Sequence, residues 1–124
     1  MTNEEIARRG FEAALTGDLE AVKDLLDPEV RWHGGDPDAP GACRNRQEAL
    51  AFMGRAVQNR RLGDLVDVRS SGERVVVILR PRALPGEEPP DLVANLTTFR
   101  NGKAVEMVHY PRVADALAAL SRSD

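Results

Sequence analysis

The stretch that decides the fold is TFRNGKAVEMVHYPRVADALAAL, residues 98–120. Asn101 and Gly102 form the strongest two-residue hairpin signal in the chain, because both residue types tolerate the backbone that tight hairpin turns require. The segment KAVEMVHY, residues 103–110, has the composition of a strand, and RVADALAAL, residues 112–120, has the apolar spacing of a short helix. The stretch therefore predicts an antiparallel hairpin followed by a C-terminal helix.

Three more strands precede this one in the second half of the chain. LGDLVDVRSS and ERVVVILRPR, residues 62–71 and 73–82, are joined across a short turn that contains Gly72. LVANLTTFR, residues 92–100, follows a proline-rich loop at 83–91. Together with the last strand they predict a four-stranded antiparallel meander.

The first half of the chain is mainly helical. Thr2 and Glu5 have the spacing of a capping box at the start of a first helix, which Gly17 ends. Asp18 caps a second helix, for which we predict an end at Pro28.

A strand at residues 29–35, EVRWHGG, and a third helix at residues 46–61, RQEALAFMGRAVQNRR, complete the pattern. The order of elements predicts an α+β fold in which helices pack on one side of a curved sheet. With 124 residues, we expect one domain that spans residues 1–124.

Composition narrows the range of partners. The net charge is −3, aromatic residues make up 4%, and no cluster of Lys and Arg occurs, so we expect no nucleic-acid partner. No charged-then-apolar leader and no long apolar run is present, which favours a cytoplasmic protein without a membrane partner. Cys43 is the single cysteine and cannot form an internal disulfide.

Three segments together resemble a known family. GDLEAVKDLLDPEVRWHG at 17–34, RNRQEALAFM at 44–53 and the stretch at 98–120 are similar, in order and spacing, to the SnoaL-like branch of the nuclear transport factor two-like superfamily. The resemblance runs from Glu4 to Leu120, so the core of the expected domain is about 4–120. It implies a cone-shaped α+β barrel, whose curved mixed sheet wraps around the three helices of the N-terminal half, with a short C-terminal helix.

The resemblance also implies a pocket that opens at one end and a homodimer formed through the outer sheet face. The superfamily contains isomerases, polyketide cyclases, dehydratases and epoxide hydrolases, and it also contains binding proteins without catalytic activity. The fold alone therefore leaves the function open.

His109 is the candidate general acid/base. Strand alternation places it on one face with Val105 and Met107. In relatives this position often carries an aspartate that resembles a general acid/base, and a histidine keeps a titratable group there that works near neutral pH. The alternative is a histidine that is hydrogen-bonded to the backbone at the mouth of the barrel.

The rest of the predicted pocket is mainly apolar. Asn95 and Thr97 share the expected inner face with Phe99 and are candidates for a hydrogen bond to a ligand. His33 falls on the face opposite Trp32, toward solvent or a dimer partner. The apolar ligand-binding candidates are Phe11, Leu15, Trp32, Phe52, Val105 and Met107.

Two functions remain open from the sequence. The first is binding of a small hydrophobic molecule without catalysis, which we favour because a lone histidine without a visible partner is weak support for chemistry. The second is a metal-independent isomerase, cyclase or dehydratase that uses His109 as general acid/base. The histidines and Cys43 lack the tight spacing of metal ligands, so we predict no metal and no cofactor.

Overall fold

A computed structural model of the protein describes residues 2–58, 63–88 and 90–122. The predicted α+β class and the predicted order of elements are confirmed. Residues 59–61 at the predicted end of the third helix, Leu62 at the predicted start of the next strand, and Pro89 in the predicted loop lie outside the described residues. The elements are α1 Asn3–Thr16, α2 Leu19–Asp24, β1 Leu26–His33, α3 Arg46–Gln58, β2 Asp64–Ser71, β3 Arg74–Arg80, β4 Val93–Arg100, β5 Lys103–Tyr110 and α4 Val113–Ser121.

One five-stranded mixed sheet organises the described residues, in the order β1-β5-β4-β3-β2. Strands β2 to β5 form the predicted antiparallel meander, and β1 joins β5 in parallel. The sheet is open, with β1 and β2 at its edges. Helix α1 packs against β2 and β3, and α3 packs against β1, so the N-terminal helices cover one face, which we call the inner face. None of the described helices combines the length and the apolar character needed to cross a membrane.

The turns and caps follow the predicted chemistry. Asn101 and Gly102 both have positive φ, 54° and 78°, as the tight turn between β4 and β5 requires. The Thr2 side chain accepts a hydrogen bond from the Glu5 amide at the start of α1. Gly17 ends this helix in the left-handed conformation, with φ of 79°. These local signals are confirmed because each depends on only a few neighbouring residues.

The second helix is shorter than predicted. We expected it to continue to Pro28, but α2 ends at Asp24 and β1 begins at Leu26, so Pro28 lies within a strand. Proline is tolerated there because β1 is an edge strand, and the pairing with β5 is irregular between Leu26 and Arg31. Leu26 consequently packs into the core from the sheet and not from a helix.

Helix α4 lies on the opposite face of the sheet, which we call the outer face. It packs against β3 and β4 and forms a separate core with them. The Arg74 guanidinium donates to the carbonyl oxygens of Ala119 and Leu120, at 3.1 and 3.2 Å, and also to that of Arg122. These bonds satisfy carbonyl groups that the end of a helix leaves without partners. The buried residues of this core are Val76, Ile78, Ala94, Leu96, Ala116, Ala119 and Leu120.

Candidate functional site

The inner face of the sheet and helices α1 to α3 surround a cavity of about 130 Å³, the inner cavity. Its walls are apolar except for Asn95 and Thr97, and none of its lining residues is charged. The first helix contributes Ile6, Ala7, Gly10, Phe11 and Ala14; Val22, Leu25 and Met53 come from the region of α2 and from α3; the sheet contributes Leu26, Trp32, Val77, Leu79, Phe99, Ala104 and Met107.

Asn95 places a polar atom in this apolar space. Its Oδ1 atom is buried and has no hydrogen-bond partner within the described residues. Asn95 pairs with Val77 on β3 and with His109 on β5. Most buried polar atoms in proteins are hydrogen-bonded, and an unpaired one costs folding free energy. Asn95 lines the cavity, and its Oδ1 atom is itself buried within the wall.

Trp32 lies between the inner cavity and a second space. Its ring meets that of Phe52 edge to face, with 4.8 Å between centroids and an interplanar angle of 74°. On the other side of this aromatic pair is a hollow of about 320 Å³, the outer hollow. The residues that line it are Trp32, His33, Gly34, Ala39, Gly41, Ala42, Cys43, Phe52 and His109.

His109 lies in the outer hollow and not in the inner cavity. It shares the inner side of the sheet with Asn95 and Met107, as alternation predicts, but it lies one residue before the end of β5 and its side chain is exposed. The expectation that His109 is the polar head of the inner cavity therefore needs correction. Asn95, its cross-strand neighbour, has that position.

Val105 differs from the prediction because of a β-bulge. Phe99 pairs with Ala104 and Thr98 pairs with Glu106, which leaves Val105 as an extra residue in β5. The bulge turns Ala104 to the inner face in place of Val105, and Ala104 lines the cavity together with Phe99. A bulge shifts the alternation by one residue, so the two-residue period could not reveal it.

Leu15 and Phe52 are also outside the inner cavity. Leu15 follows Ala14 in α1, and one residue of helix turns the side chain by about 100°, which leaves Leu15 37% exposed. Phe52 is 41% exposed and contributes to the outer hollow instead. The predicted residues that do line the inner cavity are Phe11, Trp32, Asn95, Thr97 and Met107.

His33 has both ring nitrogens engaged. As predicted, it lies on the face opposite Trp32, but its side chain is only 6% exposed and contacts Glu106. Nδ1 accepts a hydrogen bond from the Gly35 amide at 3.0 Å, so the ring proton lies on Nε2, which donates to Glu106 Oε2 at 3.0 Å. The parallel pairing of β1 with β5 brings this glutamate close. Sequence reasoning missed Glu106, because strand alternation does not specify which strands are neighbours.

Cys43 is a buried thiol beside the same hollow. Its backbone exchanges two hydrogen bonds with that of Trp32, at 2.9 and 2.7 Å, which ties the loop after β1 back to the strand. Burial raises the pKa of the Cys43 thiol, the Glu48 carboxylate raises it further, and Arg55 opposes both. The thiol is therefore protonated at neutral pH and is a poor nucleophile.

Comparison with known proteins identifies what the chain is similar to. The family model described as "SnoaL-like domain" matches residues 7–107. No sequence among the curated proteins matches.

Several solved structures share the fold. Bal32a from a soil-derived mobile gene cassette is 26% identical, with a TM-score of 0.75, and the match covers 97% of this chain and 96% of that one. An NTF2-like protein of unknown function from Burkholderia pseudomallei K96243 is 28% identical, with a TM-score of 0.69 and coverage of 98% and 100%. A candidate polyketide cyclase from Sinorhizobium meliloti is 15% identical, with a TM-score of 0.70 and coverage of 85% and 93%, and at that identity it shows the fold alone.

Proposed function

This chain belongs to the SnoaL-like domain family, and on that premise we propose that it binds a small hydrophobic organic molecule in its inner cavity. One observation carries the proposal: the cavity has apolar walls without a charged residue, and Asn95 and Thr97 are the polar residues among those that line it. An apolar ligand gains free energy when its surface leaves water, and a few polar groups in the wall orient it. A charged substrate would lose its hydration there without compensation.

The single tryptophan of the chain provides a direct test. Trp32 lines the inner cavity, and no other tryptophan contributes to the fluorescence signal. We expect saturable changes in Trp32 emission when small apolar compounds such as p-xylene are added. We also expect the melting temperature to rise with ligand concentration, because a ligand that binds only the folded state stabilises it by mass action.

A variant that fills the cavity is the matched control. Ala104 lines the cavity and is almost fully buried, so Ala104→Leu places three additional carbon atoms in the space that the ligand would occupy. The variant should fold and lose both responses. If a panel of apolar compounds leaves the wild-type emission and melting temperature unchanged, the proposal is wrong.

The second candidate function is acid/base catalysis on a hydrophobic substrate by His109. It is favoured by the exposed position of His109 in the outer hollow, beside Trp32 and Phe52. Among the residues that line this hollow, however, His33 is tied to Glu106 and Gly35, and the Cys43 pKa is raised. Catalysis generally needs a nucleophile or a second acid/base group in addition to one imidazole. Binding therefore remains the first proposal.

His109→Gln distinguishes the two candidates. If the protein is an enzyme, this variant should still bind ligand in the inner cavity but lose turnover of any substrate that the wild type converts. If it is only a binder, wild type and variant should bind equally and neither should convert the bound molecule. Product analysis by mass spectrometry, alongside the Trp32 titration, separates these results.

From the resemblance we also propose a homodimer through the outer sheet face. Helix α4 already covers that face of β3 and β4, so a partner would contact the side of β5 and β1, where Val108 and Arg31 are only partly buried. Val108→Asp should then convert dimer to monomer in sedimentation experiments. A wild-type monomer at all concentrations would exclude this arrangement.

A further inference from the structure

Trp32 is shared by the inner cavity and the outer hollow, since it lines both spaces. Phe52 lines the outer hollow and is absent from the described residues that line the inner cavity. The two rings meet edge to face, with 4.8 Å between their centroids. The Trp32 ring therefore separates the cavity from the hollow, and the Phe52 ring supports it from the side of the hollow.

The two rings differ in how firmly they are held. Trp32 lies in β1, and its backbone exchanges two hydrogen bonds with that of Cys43. Phe52 is 41% exposed on α3, whereas Ala49 and Met53 of the same helix are buried in the core and hold the helix in place. Exposed side chains change rotamer rapidly. The Phe52 ring can therefore swing into solvent without disturbing the core, and the Trp32 ring can then turn into the space that Phe52 leaves.

The other walls of the inner cavity are harder to open. The wall formed by β3, β4 and β5 is a hydrogen-bonded ladder, so passage through it would break backbone hydrogen bonds. Between α1 and the end of α2, Leu25 packs so closely on Gly10 that a Cβ atom added to Gly10 would lie 3.4 Å from Leu25 Cδ1. Movement of two side chains at the boundary with the hollow needs less rearrangement than either alternative.

We infer that ligands reach the inner cavity from the outer hollow, through a gate formed by Trp32 and Phe52 in which Phe52 is the movable part. This inference rests on the proposed function, because it describes how the molecule that occupies the inner cavity enters and leaves. A gate residue that does not line the cavity changes the rates of binding and release by the same factor. Phe52 therefore controls the speed of exchange and leaves the affinity unchanged.

The test measures the exchange of p-xylene in the wild type and in Phe52→Ala. Line-shape analysis of the p-xylene methyl resonance gives the association and dissociation rate constants, and calorimetric titration gives the affinity. We expect both rate constants to rise by about three- to tenfold in Phe52→Ala, because opening then no longer breaks the contact between the two rings. The dissociation constant should stay the same, since the two rate constants change together.

Leu15→Ala is the matched control. Leu15 is a large apolar residue on α1 with similar exposure, 37%, and it is absent from the described lining of both the cavity and the hollow. Its truncation should leave both rate constants as they are in the wild type. Thermal melts establish that each variant folds, and Phe52→Leu replaces Phe52→Ala if the smaller side chain prevents folding.

Three outcomes would overturn the inference, and a fourth would overturn its premise. If p-xylene binds but Phe52→Ala exchanges it at the wild-type rate, entry follows another route and the proposed function stands. If the affinity falls and the association rate does not change, Phe52 contacts the ligand and is not a gate. If Leu15→Ala accelerates exchange equally, the effect is general loosening of the fold. If neither p-xylene nor any other apolar compound binds the wild type, the proposed function itself fails.

Discussion

The two faces of the sheet are built on opposite principles. On the outer face, Ala94 is completely buried beneath α4, and the Arg74 guanidinium and the His33 ring have hydrogen-bond partners. On the inner face, the same strands border a cavity, and Asn95 Oδ1 has no partner within the described residues. The part of the outer face beneath α4 is filled and its key polar groups are paired, whereas the inner face keeps space and a buried oxygen without a partner.

The difference supports the proposal that one face serves stability and the other serves binding. Empty volume and an unpaired acceptor both lower the free energy of unfolding. The layer of β3 and β4 beneath α4 is well packed, so the space on the inner face has a different basis. A ligand that fills the space would restore the contribution lost to empty volume in the bound state.

The largest expected effect is a difference in the free energy of unfolding between alanine-to-leucine variants on the two faces. Ala94→Leu on the outer face forces three carbon atoms into a filled layer and should lower the free energy of unfolding by about 1–3 kcal/mol. Ala104→Leu on the inner face enters the cavity and should leave that free energy unchanged or higher. Urea denaturation measures both. Equal losses in the two variants would remove the distinction between the faces.

The next effect concerns one polar group on each face. His33→Leu leaves the Gly35 amide without its acceptor and should cost about 1–2 kcal/mol of unfolding free energy. Asn95→Leu removes an acceptor that has no partner, so the unliganded protein should keep or gain stability. Thermal and urea denaturation without ligand provide the comparison. A marked destabilisation by Asn95→Leu would indicate that Asn95 has a structural role.

A smaller effect is expected at the end of α4. Arg74→Met keeps most of the aliphatic side chain but removes the donors to Ala119 and Leu120, and it should cost about 1 kcal/mol after allowance for partial exposure. Because Arg74 acts on the outer face, ligand affinity of the inner cavity should stay the same. In Arg74→Met, amide hydrogen exchange should accelerate more in α4 than in α1, and equal acceleration in both helices would contradict this prediction.

The smallest effect lies outside both faces and appears as a pH dependence. The Arg44 amide donates to the Glu48 carboxylate at the start of α3 and holds the pKa of that carboxyl below its usual range. A folded-state pKa below the unfolded one adds stability at neutral pH, which is lost as pH falls through the folded pKa. Glu48→Gln should weaken the acid dependence of unfolding. An unchanged profile would show that this carboxylate contributes nothing measurable.

Several features were predictable because they depend on neighbours in the sequence. Thr2, Gly17 and the Asn101-Gly102 turn behave as their local chemistry requires. Alternation also placed Asn95, Thr97 and Phe99 correctly on the inner face. Where the prediction was wrong, a long-range contact intervened, as when the pairing of β1 with β5 placed Pro28 in an edge strand and not at the end of a helix.

The candidate site shows the same division. His109 was singled out because its residue type carries chemistry, yet its position near the end of β5 places it in the outer hollow. Asn95 was a secondary candidate, and only the tertiary structure shows that its side-chain oxygen is buried without a partner. No local pattern reports an unpaired atom, because that property depends on every element around it.

The sequence by itself determined the class and order of elements, the caps, the hairpin turn and most of the face assignments, since these follow from residue periodicity and backbone preference over a few positions. Only the tertiary structure decided that β1 lies beside β5, that a bulge at Val105 turns Ala104 inward, and that His109 lies outside the inner cavity. Strand neighbours and cavities arise from contacts between segments that are distant in the sequence. Those contacts depend on all elements of the chain together, so no single segment predicts them.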